Sequence, residues 1–245
     1  MFKQIFVIAK QEFKSLLKNW ITIITTIVFI IIPIFIYSPI ESKEMWTNLY
    51  AAYQCNNGLV AVAIMVIPII ILSIYYKDEI TGMPVLIFSQ PITGKTYAVG
   101  KFLGAYMYCL FFCIIENIVW IFMPLYFKEA PYSPIPFLKY FIIYSAASFL
   151  AMTAFAYFLE IVFNIKPVTI FLSMMVFMGL SGENMPKFSL MISAMYMNNL
   201  YTGKPLAPDI MNMIMVNRIF IITLATILII ISILKFSAEK LMNRR

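Results

Sequence analysis

The sequence contains no histidine. That absence removes Ser–His and Cys–His nucleophilic pairs, the usual zinc sites and the histidine motifs of intramembrane metalloproteases. Charge is scarce too, at 12% of 245 residues, where soluble domains carry about a quarter. Cysteine numbers only three, which gives no disulfide framework. Cys109 and Cys113 stand four apart in one apolar run, on one helix face, where they read as small packing residues. Cys55 stands alone and is expected in a loop.

In place of charge there is apolar surface. Hydrophobic residues make up 62% of the chain and the mean hydropathy is +0.90. A soluble fold has nowhere to bury that fraction, whereas lipid accommodates it. Crossing roughly 30 Å of hydrocarbon takes about 20 helical residues. Runs of that kind lie at 20–37, 58–76, 102–127, 140–159, 167–181 and 213–234, with Glu116 and Arg218 the charges inside them. The expected fold is therefore an all-α polytopic membrane protein of six transmembrane helices, a single domain over 1–245. The first run lacks a small-residue cleavage site and is too bulky for a signal peptide.

Orientation is read from the basic residues. Lys3, Lys10, Lys14 and Lys18 precede the first run; Lys77, Lys95 and Lys101 follow the second; Lys166 lies in the fourth connection; Lys235, Lys240, Arg244 and Arg245 end the chain. The opposite side holds Lys43, Lys128, Lys139, Lys187, Lys204 and Arg218. This bias places both termini in the cytoplasm and the chain in the plasma membrane. The net charge of +7 then reads as topology and attraction to lipid headgroups rather than nucleic-acid binding.

Ahead of the first run, Phe2, Ile5, Phe6, Ala9, Phe13, Leu16 and Leu17 recur at helical spacing, with lysines around the rest of the circumference. Residues 1–19 are thus expected to form an amphipathic helix in the membrane interface, either a plain anchor or a connecting element that carries cytoplasmic motion into the first span. On the outer side, 182–212 is interrupted by Pro186, Gly203, Pro205 and Pro208, yet Phe188 to Leu200 is too apolar for an exposed loop. Short re-entrant outer helices between spans five and six would explain it.

Gly94-Lys95-Thr96 imitates the end of a phosphate-binding loop, but the pattern needs glycine where Ser89 stands, and no βαβ unit surrounds it. The chain therefore carries no nucleotide-binding or catalytic motif and is not expected to be an enzyme. Glu116, beside Asn117, falls near mid-bilayer in the third run and must face the bundle interior or a wet cavity. It reads either as a substrate-path group or as a neutral acid bonded across helices. Glu160 reads as a headgroup-level charge. Ten of the 18 methionines lie between Met174 and Met215; gap-filling, an adaptable apolar cargo surface and a Cu(I) path are all compatible with that cluster.

The segment from Asp78 to Gly104 reads D-E-I-T-G-M-P-V-L-I-F-S-Q-P-I-T-G-K-T-Y-A-V-G-K-F-L-G. It resembles the cytoplasmic signature of membrane subunits of type-2 ABC exporters: an acidic short helix with a glycine, a leucine, Ser-x-Pro-Ile-Ser/Thr, then Gly-Lys opening span three. Asp78, Gly82, Leu86, Ser89, Pro91, Ile92, Thr93, Gly100 and Lys101 match; Ile80 stands where a second acid is common, and Pro84 interrupts the short helix. The resemblance implies that 77–100 is a coupling segment, with Lys77, Asp78, Glu79, Gly82, Leu86 and Pro91 meeting an ABC ATPase subunit that binds ATP and Mg, and none of it bound by this chain. It also implies a homodimer or a heterodimer with a related permease subunit. Small size and the absence of a large outer domain are similar to exporters of peptide toxins and antimicrobial peptides, the phenol-soluble-modulin kind among them, so the expected cargo is hydrophobic or amphipathic. A different class stays open: a stand-alone, gradient-driven channel or copper transporter.

Overall fold

The computed structural model describes residues 2–31, 47–81, 92–163, 166–180, 190 and 207–236. Among them every regular element is helical. In chain order these are α1 (Phe2–Leu17), α2 (Ile21–Thr26, continued by a π-helical turn, Ile27–Ile31), α3 (Asn48–Thr81), α4 (Gly94–Phe122), α5 (Pro134–Tyr140), α6 (Ala147–Phe163), α7 (Lys166–Leu180) and α8 (Pro208–Lys235). A π turn over Phe141–Ala146 joins α5 to α6, and a 3₁₀ turn over Met123–Phe127 ends α4.

Four stretches are long and apolar enough to cross a bilayer: Asn48–Asp78, Gly94–Tyr126, Pro134–Phe163 and Pro208–Lys235. A fifth is added if α1 and α2, bent by 80° at Lys18 to Trp20, count as one broken span. The expected fifth span forms α7, but its 15 residues reach only about 22 Å, less than the ~30 Å hydrocarbon core. The re-entrant outer segment, apart from Leu190 and Ala207–Asn212, lies outside the described residues.

Helix ends follow local chemistry. Thr93 caps α4 in an extended conformation and its Oγ1 accepts the Thr96 amide at 3.2 Å. Gly94-Lys95-Thr96 is therefore the first turn of a membrane helix. Proline starts both α5 and α8 at a position that needs no amide donor. The bend after α1 is held by Thr22, whose Oγ1 donates to the Leu16 carbonyl at 2.7 Å, and by Tyr108 of α4, whose hydroxyl lies 2.6 Å from Thr25 Oγ1.

Cys55 lies inside α3 and is fully buried, which corrects the loop expectation. The residues before Gly58 continue the helix because Ala51, Ala52, Tyr53 and Cys55 have bundle surface to bury. At 34 residues, α3 spans about 50 Å and outruns the hydrocarbon by roughly 20 Å. Lys77 and Asp78 thus stand near the end of a continuous helix, not in a loop. Around α3 the bundle packs aromatic side chains, with Phe29 against Phe112 and Phe149 at centroid distances of 6.2 and 5.8 Å. Large apolar side chains on α7 and α8, among them Phe171, Met175, Val216, Ile219 and Leu234, point outward, as contact with lipid requires.

Candidate functional site

The helix α1 packs on α4 because α4 lets it come close. An ideal Cβ on Gly100 would sit 2.7 Å from Ile8 Cβ, and one on Gly104 would sit 2.7 Å from Glu12 Cβ and 2.9 Å from the Ala9 carbonyl oxygen. This Gly-x-x-x-Gly pair is the small-residue spacing that lets helix backbones approach in membranes. The expected apolar face of α1 accordingly divides. Ala9 and Leu16 are buried together with Glu12, whereas Phe2 and Phe6, in the first turns of the helix, and Val7 remain exposed.

Glu12 is the unexpected member of that face, and it accounts for Lys101. The Lys101 ammonium, one residue along α4 from Gly100, lies 2.9 Å from Glu12 Oε2 and 2.5 Å from Asp78 Oδ2. The Tyr97 hydroxyl donates to the same Asp78 oxygen at 2.5 Å, and Lys101 sits 5.3 Å from the Tyr97 ring centroid. Asp78 and Lys101 are each 3% exposed and Glu12 8%. A buried ammonium thus bridges two buried carboxylates and joins three elements at one point: α1, the C-terminal end of α3 and the start of α4. Next to Asp78, Lys77 Nζ donates to Ser15 Oγ of α1. One further tie, from the Tyr157 hydroxyl to the Ala98 carbonyl at 2.7 Å, brings α6 to the same junction.

Of the coupling residues expected from sequence, Lys77 and Asp78 are therefore both engaged inside the chain, on α1 and α4. Glu79 continues the same helix, with its side chain outside the described set; Gly82, Leu86 and Pro91 lie outside the described residues.

A second polar group lies within the bundle. Glu116 is fully buried, and its Oε1 accepts the Trp120 indole N–H at 2.6 Å, one helical turn away. Among the described residues Glu116 Oε2 has no hydrogen-bond partner. Asn117 Nδ2 donates to the Cys113 carbonyl at 2.8 Å, and its Oδ1 accepts from Asn56 Nδ2 at 3.1 Å. Ser145, presented by the π turn, donates to Asn56 Oδ1 at 2.7 Å. Asn56, Asn117 and Ser145 thus tie α3, α4 and the α5–α6 span together, with Glu116 and Asn117 adjacent as expected.

Glu160, expected at headgroup level, is instead fully buried and accepts from Thr169 Oγ1 of α7 at 3.1 Å. Burial against a helix that begins three residues after Phe163 replaces solvent at that span end. Arg218 is 5% exposed; its guanidinium donates to Ser148 Oγ at 2.7 Å and to the Leu190 carbonyl at 3.2 Å, and lies 5.3 Å from the Tyr144 ring centroid. It holds Leu190 against the bundle, and the Leu190 amide also donates to the Leu180 carbonyl at 3.0 Å.

Among the described residues, no group of three or more Cys, Asp or Glu is placed to hold a metal ion. Of the clustered methionines, Met175, Met178 and Met215 are exposed. No protein-family model matches the sequence, and no curated protein matches it either.

Proposed function

We propose that this chain is the membrane-spanning subunit of an ATP-driven exporter of the type-2 ABC kind, with six spans, working beside a separate ATPase subunit and a second permease subunit. Its cargo is hydrophobic or amphipathic: a peptide toxin, a lipid or a drug. The observation that carries the reading is the buried Glu12–Lys101–Asp78 junction. A device that turns closure of a cytoplasmic motor into motion of spans needs a stiff joint at the end of those spans, because a loose connection dissipates displacement. This junction ties the amphipathic helix, span two and span three into one body, immediately ahead of the 82–91 segment that carries the exporter-like signature. In this reading Asp78 and Lys77 hold the joint rigid, while Glu79, Gly82, Leu86 and Pro91 meet the ATPase.

The proposal places both termini and the junction in the cytoplasm. A photo-crosslinking amino acid at Leu86 in native membranes is expected to capture a nucleotide-binding subunit. Substitutions at Asp78, Glu79 or Gly82 are expected to uncouple hydrolysis from transport in protein that still inserts. Efficient insertion with no protein adduct from Leu86 or Glu79 would favour the stand-alone channel or metal transporter instead.

A further inference from the structure

The outer flank of α1 carries a feature that the junction does not use. A cavity of about 1000 Å³ opens at the corner where α1 turns into α2, at the upper end of small-ligand sites. Lys10 and Lys14 of α1 and Lys18, one residue past its end, line it at successive four-residue steps, and Lys77 enters from the last turn of α3. Ser15, Gln11 and Asn19 add polar groups, and Trp20 and Val7 complete the wall. Among the described residues no acidic side chain lines it. Glu12, the acid of this helix, is turned to the opposite face and paired with Lys101. The hydrogen bond from Lys77 to Ser15 fixes the α3 lysine against the α1 wall.

We infer that this cavity binds the phosphate-bearing headgroup of an anionic phospholipid. Lys10, Lys14 and Lys18 on one wall, with no carboxylate among the described lining residues, favour an anion, and a phosphodiester offers the oxygens they need. The surroundings favour a lipid over a free anion. Trp20 is 63% exposed at the mouth, Phe2 and Phe6 are exposed on the same helix, and Ile23 and Ile27 are exposed just past the bend. An indole at headgroup depth with aliphatic surface beside it is the arrangement that receives a headgroup and its chains together. The consequence is that α1, locked to α4 on one face, is tied to the membrane by a specific lipid on the other.

The inference needs no ATPase and no transport, so its failure is separable from that of the exporter reading. The test uses the full-length protein in neutral detergent, titrated with dioctanoyl phosphatidylglycerol, dioctanoyl phosphatidylcholine or inorganic phosphate. Binding is read by native mass spectrometry and thermal shift. Phosphatidylglycerol is expected to bind and stabilise, with phosphatidylcholine and millimolar phosphate doing neither. Each lysine near an anionic headgroup contributes about fivefold in affinity, so K10Q/K14Q should weaken phosphatidylglycerol on the order of 25-fold. K10R/K14R should retain most of the affinity, and Lys128→Gln, remote from the cavity, should leave it unchanged. Equal binding of the two lipids, an unchanged phosphatidylglycerol affinity in K10Q/K14Q, a loss in K10R/K14R equal to that in K10Q/K14Q, or a loss of similar size in Lys128→Gln would overturn the inference. A full response to inorganic phosphate alone would overturn the lipid as its source.

Discussion

Lys101→Met is the most informative single change at the junction. Methionine keeps the length of the side chain and its apolar stem but removes the ammonium that lies 2.9 and 2.5 Å from two carboxylates. Glu12 and Asp78 are then buried with no counter-charge between them; among the described residues Asp78 keeps its bond from Tyr97 alone. Removing one partner of a buried ion pair costs ~3–5 kcal/mol, because it leaves a desolvated charge behind. At ~2–4 °C per kcal/mol for a chain of this size, the midpoint of thermal unfolding should fall by roughly 6–20 °C. The assay is size-exclusion chromatography of detergent-solubilised protein after heating across a temperature series. The control is E12Q/D78N/K101M, which neutralises all three groups, keeps the Tyr97 hydroxyl satisfied and should recover most of the loss. A midpoint within about 2 °C of wild type for Lys101→Met would refute the reasoning, since the cost comes from orphaned charge. So would a triple variant no better than the single one.

Three further outcomes follow from the packing. Gly104→Val places a branched side chain where even a Cβ would lie 2.9 Å from the Ala9 carbonyl; it should cost ~1–3 kcal/mol and free α1, seen as faster proteolysis of the first 20 residues. Glu116→Gln keeps an acceptor for the Trp120 indole and should fold like wild type, whereas Glu116→Leu strands that N–H and should lose about 1–3 kcal/mol; equal thermal midpoints for the two would contradict the bonding described. Arg218→Met removes two of the three donors to the Leu190 carbonyl and leaves Ser148 Oγ alone, so a cysteine placed at 190 should react faster with a membrane-impermeant maleimide than in the parent.

Much of this architecture is legible in the residue order, because hydrophobic runs of membrane length report directly on helices. The part that is not legible has identifiable causes. Charge-free runs understate helix length, so α3 and α4 extend past them and absorb Cys55, Lys77 and Asp78 into regular structure. Glu12 carries a signal that the apolar pattern conceals: it stands three residues after Ala9 and four before Leu16, which puts it on the buried face. The Gly100–Gly104 spacing likewise marks a close helix contact without saying which helix makes it. Asn56 and Asn117, 61 positions apart, could not be paired from periodicity. The burial of Glu160 depends on where α7 folds back, which local pattern does not specify.

The central claim is that this chain works as one part of an ATP-driven assembly. It is tested most directly by mild-detergent affinity purification of the tagged chain from its native cell, followed by quantitative mass spectrometry of what accompanies it. The account predicts a small P-loop ATPase in a near one-to-one ratio, retained when the tag is moved to the other terminus. Recovery of the chain alone, from cells expressing it at readily detected levels, would contradict the account and favour a protein that acts without a motor.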